Sequence, residues 1–474
     1  MLLASISHAF VVNHRQQRQR FSTTTPSSPS SQLFQSPAPL SWQSHISTHP
    51  EAMRGLQKVL EQVTGRRELS SSAKDDVNNK DLAFLFVGQA HAAEFEQIVQ
   101  EAAKHFDKST TNLISLIGGG VIGEKVELDQ PEQPGIALLT GKLPPGARVD
   151  IDTYNKQRSD FENSLFKDKD PEDGDSESYS YLLLADPWSS VQSLMNSLAA
   201  EDTSVVAGGI SCPSSASPSL AINDNILPQG STIAVRFSGS IGLQSLVAQG
   251  CRPVGPAYSI TEGQGNVITK LDGKPALEVL QEMANALSKD EQKQVSTGLL
   301  CGVASDAQED YLSRQIMAFV PSVKGIAIGS EVKQGDSFCF QVRDKTTAEQ
   351  DMQLMVQRAK TARLFDGGKG TPMAAIQISC VARGRGLFEA PNVDLNQLQD
   401  FLGQAPVGGF FANGEIGPVG ISGFSTTNSE SYLHGFTTVA AVLCDFSEDD
   451  DTKGSAEDVS SNSNAPADEL DAWG

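Results

Sequence analysis

LAFLFVGQAHAAEFEQIVQEAAKHFDKSTTNLISLIGGGVIG, residues 82–123, contains two apolar runs on either side of an amphipathic segment. The first run, Leu82–Val87, has the length and continuous apolar character of a buried strand. Apolar residues then recur every three or four positions from Phe95 to Phe106, which is the pattern of a helix with one buried face. A second apolar run, Leu113–Ile117, leads into a glycine-rich loop. The stretch therefore predicts a strand, a helix and a strand, as in sheets that are covered by helices.

The same alternation continues along the chain. Further strands are expected at Ile136–Thr140, Tyr181–Ala185, Ser204–Ile210, Thr232–Gly239, Ser337–Asp344, Ala374–Val381, Val407–Phe411 and, as one long strand or a pair, Tyr432–Phe446. Helices are expected at 51–64, 191–198, 277–287, from Thr346 or Thr347 to about 362, and at 395–402. The pattern predicts an α+β or α/β protein with two lobes of mixed, strand-rich sheets covered by helices.

The first fifty residues differ in composition from the rest of the chain. They contain no Asp or Glu, three arginines and many Ser and Thr residues, which is typical of an organelle transit peptide. The Ala9-Phe10 pair resembles the cleavage junction of plastid presequences in algae with complex plastids. A plastid (chloroplast) address is therefore preferred to a mitochondrial one, and a plain polar tail is the alternative.

Four further segments follow the transit peptide, 1–50. Residues 51–81 are expected to hold a lead helix and a linker. Residues 82–270 are assigned to a first domain with an acidic insertion at 151–179, and residues 271–446 to a second domain. The acidic end, 447–474, has too few apolar side chains to offset the entropy of ordering it, so disorder is expected. It is interpreted as a solubilising tail or as a docking peptide that ends in tryptophan.

Composition excludes several classes of protein. The formal net charge of −22 argues against nucleic acid and anionic membranes as partners, because both are polyanions. No apolar run reaches the roughly 18–20 residues of a membrane-spanning helix, so a soluble protein is expected. The six cysteines form no C-x-x-C pair, which indicates buried thiols in a reducing compartment and no metal site.

Several segments resemble the FIST family, in which a FIST-N domain precedes a FIST-C domain. The segments are GCRPVGP (250–256), GNVITKLDGKPALEVL (265–280), SCVARGRGLF (379–388), GFFANGEIGPVG (409–420) and LHGFT (433–437), with LIGGGVIGEK (116–125) and VVAGGI (205–210) upstream. Their order and spacing cover about residues 82–446. The chain is identified from them as an organelle-targeted eukaryotic member of this family.

The resemblance implies a sensory or ligand-binding module for small molecules such as amino acids. Some bacterial members bind haem, and some eukaryotic members carry an F-box. No kinase, cyclase or F-box segment is found in this chain to receive a signal.

The first candidate site is the glycine run Gly118, Gly119 and Gly120. Glycines after a strand can present backbone N–H groups to an anion, or can form a tight turn packed against the other lobe. The run matches neither a dinucleotide-binding fingerprint nor a P-loop, so no nucleotide is expected.

The second candidate site is formed by Cys380, Arg383 and Arg385. Cys380 shares a strand face with apolar residues, which favours a buried thiol, whereas nearby arginines would lower its pKa and make it reactive. The arginines alternate around Gly384 and are expected to point the same way. They would then clamp a carboxylate or phosphate, or form salt bridges.

The third candidate site contains Asn413, Glu415 and His434. Glu415 would bind a ligand amine or an arginine such as Arg383, and Asn413 would otherwise occupy a left-handed turn. His434 shares the parity of an apolar strand, so it is a core histidine or, alternatively, a haem ligand. Apart from haem, no cofactor is expected.

These observations predict a module that binds an amino acid or another anionic or zwitterionic metabolite, rather than an enzyme. The site is expected between the lobes, near Gly118, Arg383 and Glu415. The alternatives are a protein-interaction scaffold with a protein partner, and a thiol enzyme that uses Cys380 with His434.

Overall fold

The structure is a computed structural model that describes residues 41–64, 80–155, 179–198, 205–304, 311–424 and 430–447. Residues 41–248 contribute strands β1 Trp42–Ser47, β2 Leu82–Gly88, β3 Asn112–Gly118, β4 Val121–Gly123, β5 Val126–Leu128, β6 Ile136–Gly141, β7 Ala147–Tyr154, β8 Ser180–Ala185, β9 Val205–Ile210, β10 Leu220–Ile222, β11 Asn225–Ile226, β12 Thr232–Gly239 and β13 Ile241–Ala248. Residues 251–445 contribute β14 Cys251–Gln264, β15 Val267–Leu271, β16 Lys274–Pro275, β17 Leu299–Ala304, β18 Leu312–Val320, β19 Gly325–Ile328, β20 Ser337–Arg343, β21 Thr371–Cys380, β22 Val407–Ala412, β23 Glu415–Pro418, β24 Ile421–Ser422, β25 Ser431–His434 and β26 Thr438–Asp445.

The α-helices cover the faces of these sheets. They are α1 Ala52–Thr64, α2 Phe95–Ala103, α3 Val191–Leu198, α4 Ala276–Ala286, α5 Lys289–Gly298, α6 Lys345–Phe365, α7 Arg385–Phe388 and α8 Val393–Leu402. Helix α6 begins after Asp344, whose side chain accepts a hydrogen bond from Thr347 N, so the cap lies two or three residues before the one expected. Among the described helices, none is long and apolar enough to cross a membrane.

Three sheets form one body. Sheet I has the order β1-β6-β2-β3-β10-β11, sheet II β25-β23-β9-β8-β12-β7, and sheet III β24-β13-β26-β21-β22-β4-β5. Their apolar faces meet in a common core, in which Phe86 of sheet I stacks on Phe410 of sheet III with ring centroids 5.9 Å apart. Full burial of such a side chain contributes roughly 1.5–3 kcal/mol to folding.

Sheet IV forms a second lobe, which we call the sheet IV lobe, from residues 251–343. Its order is β14-β20-β17-β18-β19-β15-β16, and helices α4 and α5 cover one face. Its separate core includes Val254, Ile260 and Phe340. The strand-rich fold with mixed sheets and helices is thus confirmed.

The two halves of the chain are interleaved within the body. Strands β4, β5 and β13 from the first half join sheet III, whereas β23 and β25 from the second half join sheet II. Sheet IV contains strands from both sides of the boundary expected between residues 270 and 271. The body is therefore formed by strands from both ends of the chain, whereas the sheet IV lobe is one continuous segment that crosses the expected boundary.

Two of the expected segment ends overlap strands of the fold. Strand β1, within the expected leader, pairs with β6, and Trp42 is buried in the core. The acidic insertion cannot begin at residue 151, because β7 continues to Tyr154 along β12. Residues 1–40 of the expected leader, 156–178 of the expected insertion and 448–474 of the expected acidic tail lie outside the described residues.

Candidate functional site

The glycine turn Gly118–Gly120 lies where the parallel strands β2 and β3 end, against β22 of sheet III. The N–H of Gly119 donates to Phe411 O at 2.8 Å, and Phe411 N–H donates to Gly120 O at 3.0 Å. A Cβ on Gly120 would lie 2.0 Å from Leu128 O, so only glycine permits this approach. The turn joins sheets I and III, and the N–H of Gly119 already has an acceptor.

Arg383 is buried and forms the central ion pair of the site. Its Nε and Nη2 atoms donate to the two carboxylate oxygens of Asp394, each at 2.7 Å. Asp394 lies in the first turn of α8, and the guanidinium also lies over the ring of Phe388. Because this bidentate pair occupies the planar fork, Arg383 cannot at the same time clamp a ligand carboxylate with it.

Arg385 points away from Arg383, so the expectation that both arginines face the same way is wrong. Strand β21 ends at Cys380, a turn follows, and Gly384 has φ +60°, which destroys the alternation of a strand. The Arg385 side chain is 54% exposed, and its Nε lies 3.7 Å from Asp129 Oδ1. The two arginines therefore act separately.

A buried carboxylate from the first half of the chain, Glu127, joins this network. Its Oε1 atom accepts hydrogen bonds from Gln377 Nε2 at 2.9 Å and from Leu395 N at 3.2 Å. Burial, reinforced by the nearby charge of Asp394, raises the pKa of Glu127 to about 7. Sequence reasoning missed Glu127 and Gln377, which are 250 residues apart and show no local motif.

Cys380, Glu415 and Thr437 form a second buried cluster next to Arg383. Glu415 Oε2 accepts hydrogen bonds from Thr437 Oγ1 at 2.8 Å and from Thr437 N at 3.3 Å. Burial raises the pKa of Glu415 to about 8, against the opposing effect of these hydrogen bonds. Burial, and then the charge of Glu415, raises the pKa of Cys380 to about 12. Cys380 is therefore a protonated thiol at neutral pH, and this position does not favour the thiol-enzyme hypothesis.

His434 lies directly opposite Glu415 in the β23–β25 pair. Its Nε2 atom is 3.0 Å from Gly417 O, and burial lowers the pKa of the imidazole to about 4. Neutral His434 therefore donates from Nε2, which leaves Nδ1 as an acceptor with no hydrogen-bond partner among the described side chains and backbone. Strand β25 ends here, and Phe436 has φ +66°, so the alternation of strand faces expected around His434 does not continue into β26.

The family association with haem can be tested on this histidine. His434 is buried on the edge strand β25, and the nitrogen that faces Gly417 is already engaged. Haem ligation needs a free ring nitrogen that faces an open apolar pocket. The surroundings of His434 do not fit that requirement. Within the described ranges, no group of three or more His, Cys, Asp or Glu side chains could hold a metal ion.

Asn413 is the exposed member of the third candidate group. Its N–H donates to Ile210 O at 3.0 Å, and Ile210 N–H donates to Gly414 O at 2.8 Å. The positive φ of this loop is at Gly414, +147°, so the left-handed turn expected at Asn413 is wrong. The loop joins sheets II and III, and the Asn413 side chain is left facing solvent.

An open cleft lies between the sheet IV lobe and the body, beside the segment that contains Arg385. It has a volume of about 490 Å³, within the range of small-molecule sites. Its lining residues, all missed by sequence reasoning, come from α5, the β20–α6 junction and α7: Gln294, Gly298, Arg343, Asp344, Lys345, Thr346, Gly386, Leu387 and Glu389. The site is therefore expected at this junction of the two lobes, as a cleft with charged walls.

Charges of both signs face this cleft. Lys345 Nζ is 2.6 Å from Glu389 Oε2, and this pair is exposed to solvent. Arg343 donates from Nη2 to the carbonyl of Ala382, in the turn that follows Cys380. The cleft is thus linked by one side chain to the buried network around Arg383.

Comparison with known proteins shows the family of this chain. Residues 81–274 match the FIST N domain, and residues 276–418 match the FIST C domain. An uncharacterized protein of Mycobacterium tuberculosis strain H37Rv is 30% identical over 409 residues, which cover 84% of this chain and 98% of that protein. An uncharacterized protein of Mycobacterium bovis is 29% identical over 389 residues, which cover 80% of this chain and 95% of that protein. On these matches, the chain belongs to the FIST family and contains both of its domains.

Proposed function

We propose that this protein is a sensory module that binds an amino acid or another anionic or zwitterionic metabolite in the cleft between the sheet IV lobe and the body. FIST domains are generally considered sensory ligand-binding modules. The observation that carries the proposal is that Arg343 and Lys345 face the same cleft as Glu389 and Asp344. A zwitterion presents the complementary pair of charges.

The lining groups assign a role to each part of such a ligand. Arg343 and Lys345 would hold the carboxylate, since an ammonium and a guanidinium both donate charge-assisted hydrogen bonds. Glu389 would leave Lys345 and accept from the ligand ammonium. The Gln294 amide can donate or accept a hydrogen bond, so it would contact a polar group of the ligand other than its carboxylate and ammonium.

The signal would pass through Arg343. Its hydrogen bond to Ala382 O connects β20 of the sheet IV lobe to the turn between Cys380 and Arg383. A ligand that favours one arrangement of the two lobes shifts their equilibrium by its differential affinity. Glu415 and His434, which the sequence predicted as ligand contacts, are buried. In this proposal they would respond to closure of the lobes and would not touch the ligand. Direct contact by Arg385, which adjoins the cleft, is also part of the proposal, whereas contact by Gly118–Gly120 or Asn413 stays a prediction.

The ligand proposal is tested by thermal shift against a panel of amino acids and organic acids. A ligand at about one hundred times its Kd should stabilise the protein by roughly 2.7 kcal/mol. Lys345→Gln should abolish the shift. Lys324→Gln is the matched control, because Lys324 also forms a solvent-exposed pair, with Glu278, elsewhere on the sheet IV lobe. If a ligand gives the same thermal shift in Lys345→Gln as in the wild type, the ligand does not bind in this cleft.

A protein-interaction scaffold is the second candidate, favoured by one feature of the sheet IV lobe. Met317 and Phe319 alternate along β18, and both side chains are exposed. Exposed apolar patches of this kind mark interaction sites. If the panel gives no hit and a defined partner stops binding to Phe319→Asp, the scaffold function replaces the sensor.

The proposed location is a plastid, and it rests on the composition of the leader alone. Segment 1–40 contains no acidic residue and three arginines, which supports import into an organelle. The two relatives above are mycobacterial proteins, so they do not bear on a plastid address. Fusion of residues 1–41 to a fluorescent protein would test it. Cytosolic fluorescence would reject import, and mitochondrial fluorescence would reject the plastid.

A further inference from the structure

The C-terminal half of α6 exposes an apolar groove on the body, at the other end of the helix whose first residues line the ligand cleft. Leu354, Arg358 and Phe365 of α6 form one wall, and residues 419–421 form the other. The groove has a volume of about 560 Å³. Phe365 is 79% exposed and Leu354 is 42% exposed, although burial of either apolar side chain would be energetically favourable. We call this surface the α6 groove.

The α6 groove carries a cation as well as apolar side chains. Arg358 Nη1 lies 3.9 Å from the position that a Cβ on Gly420 would take, so the guanidinium stands over the groove. Arg358 has no ion-pair partner within the part of the chain that the structure describes. An apolar segment flanked by carboxylates would complement this surface.

The last strand leaves the body beside the end of α6. Asp445 at the end of β26 pairs with Thr371, six residues after Phe365. The ring of Phe446 packs against Gly370, because a Cβ there would lie 2.7 Å from the ring. The chain beyond residue 447 therefore starts close to the α6 groove.

That part of the chain contains one segment with the required chemistry. DELDAW, residues 468–473, places Leu470 and Trp473 three positions apart among three carboxylates. The groove from Leu354 to Phe365 is about 16 Å long at 1.5 Å per helical residue, enough for both apolar side chains. The 22 residues between 447 and 470 can span at most ~70 Å, so the tether does not prevent contact.

We propose that Leu470–Trp473 binds the α6 groove of its own chain, with Trp473 against Phe365 and the flanking carboxylates toward Arg358. The tether raises the effective concentration of the segment to about the millimolar range, so a weak contact is sufficient for occupancy. The acidic end of the chain would then be a ligand of the fold.

Site-specific cross-linking of the full chain tests this proposal. Trp473 is replaced by a photoreactive phenylalanine analogue, and cross-linked peptides are mapped after irradiation of a mixture of ¹⁵N-labelled and unlabelled protein. The expected products join residue 473 to residues 354–365 or 419–421 within one isotopic species. Products that join labelled to unlabelled chains would show that a second copy is bound, and would overturn the proposal.

Two neighbouring variants give the matched comparison. Phe365→Ser should lower the yield of the groove cross-link about tenfold, because one buried aromatic contact is lost. Leu364→Ser should leave the yield nearly unchanged, because Leu364 is 82% exposed and lies off the groove. Both side chains are exposed, so both variants should fold, and circular dichroism checks this. Equal yields in the two variants, or cross-links elsewhere on the body, would refute the proposal.

Discussion

Replacement of Glu415 by glutamine should make the fold less sensitive to alkaline pH. Glu415 is buried, and its pKa rises from 4.5 to about 8 on folding. A carboxyl whose pKa is raised in the folded state binds its proton more tightly there than in the unfolded chain. It stabilises the fold fully below pH 4.5, and that stability is lost as the pH rises from 4.5 to 8. The amide in the Glu415→Gln variant would keep the acceptor for Thr437 and would not titrate.

The size of the effect follows from the two pKa values. One pKa unit corresponds to about 1.36 kcal/mol, so the whole change from 4.5 to about 8 is on the order of 4–5 kcal/mol. Of this, about 3 kcal/mol falls between pH 5.5 and 8, where the protein is well above its pI. The Tm of Glu415→Gln, relative to that of the wild type, should therefore rise by about 5 °C from pH 5.5 to 8.

The assay is thermal unfolding of the wild type and Glu415→Gln at several pH values. Glu127, whose pKa is raised to about 7, titrates in both proteins and cancels in the difference. Glu132→Gln is the control, because it removes a carboxylate that is exposed to solvent and not buried in the fold. If the Tm difference for Glu415→Gln is flat from about pH 5.5 to 8, Glu415 is not a buried neutral acid and the described cluster is incorrect.

Two further predictions concern the same buried region. Asp394→Asn should lower the free energy of unfolding by about 3–5 kcal/mol in urea titrations, because it leaves the Arg383 guanidinium buried and unpaired. The double variant Arg383→Met with Asp394→Leu should cost less, and a double variant as unstable as Asp394→Asn would contradict this reasoning. Under native conditions, iodoacetamide should modify the half-buried Cys212 well before Cys380, as read by peptide mass spectrometry. Modification of Cys380 before Cys212 would support the thiol-enzyme hypothesis.

Element types were predictable where one segment decides them. Strand β2 and helix α2 appear as expected because continuous and periodic apolar patterns report burial of a local face. Strand β7 was hidden because its alternate residues are half-buried and acidic, so it reads as part of a solvated loop. The final apolar segment is a pair of strands, and the break between β25 and β26 comes from a left-handed Phe436 that composition does not indicate.

The candidate site was predictable only in part. Family resemblance directed attention to Cys380, Arg383 and Glu415, and the structure places these side chains in one buried region. Their partners, Asp394 and Thr437, lie in other segments of the chain, and no local pattern pairs them with Arg383 and Glu415.

By itself, the sequence determined the acidic character of the chain and its alternation of strands and helices, because these depend on composition and on neighbours within one segment. It also determined the family, through segments whose order and spacing along the chain resemble those of FIST proteins. The tertiary structure alone decided that strands from both halves share sheets II and III. It also decided that Arg383 faces Asp394 while Arg385 faces outward, and that Arg343 and Lys345 meet Glu389 in one cleft. The physical reason is that a charged side chain takes its pKa and its partner from whatever packs around it. In this fold those neighbours arrive from distant parts of the chain.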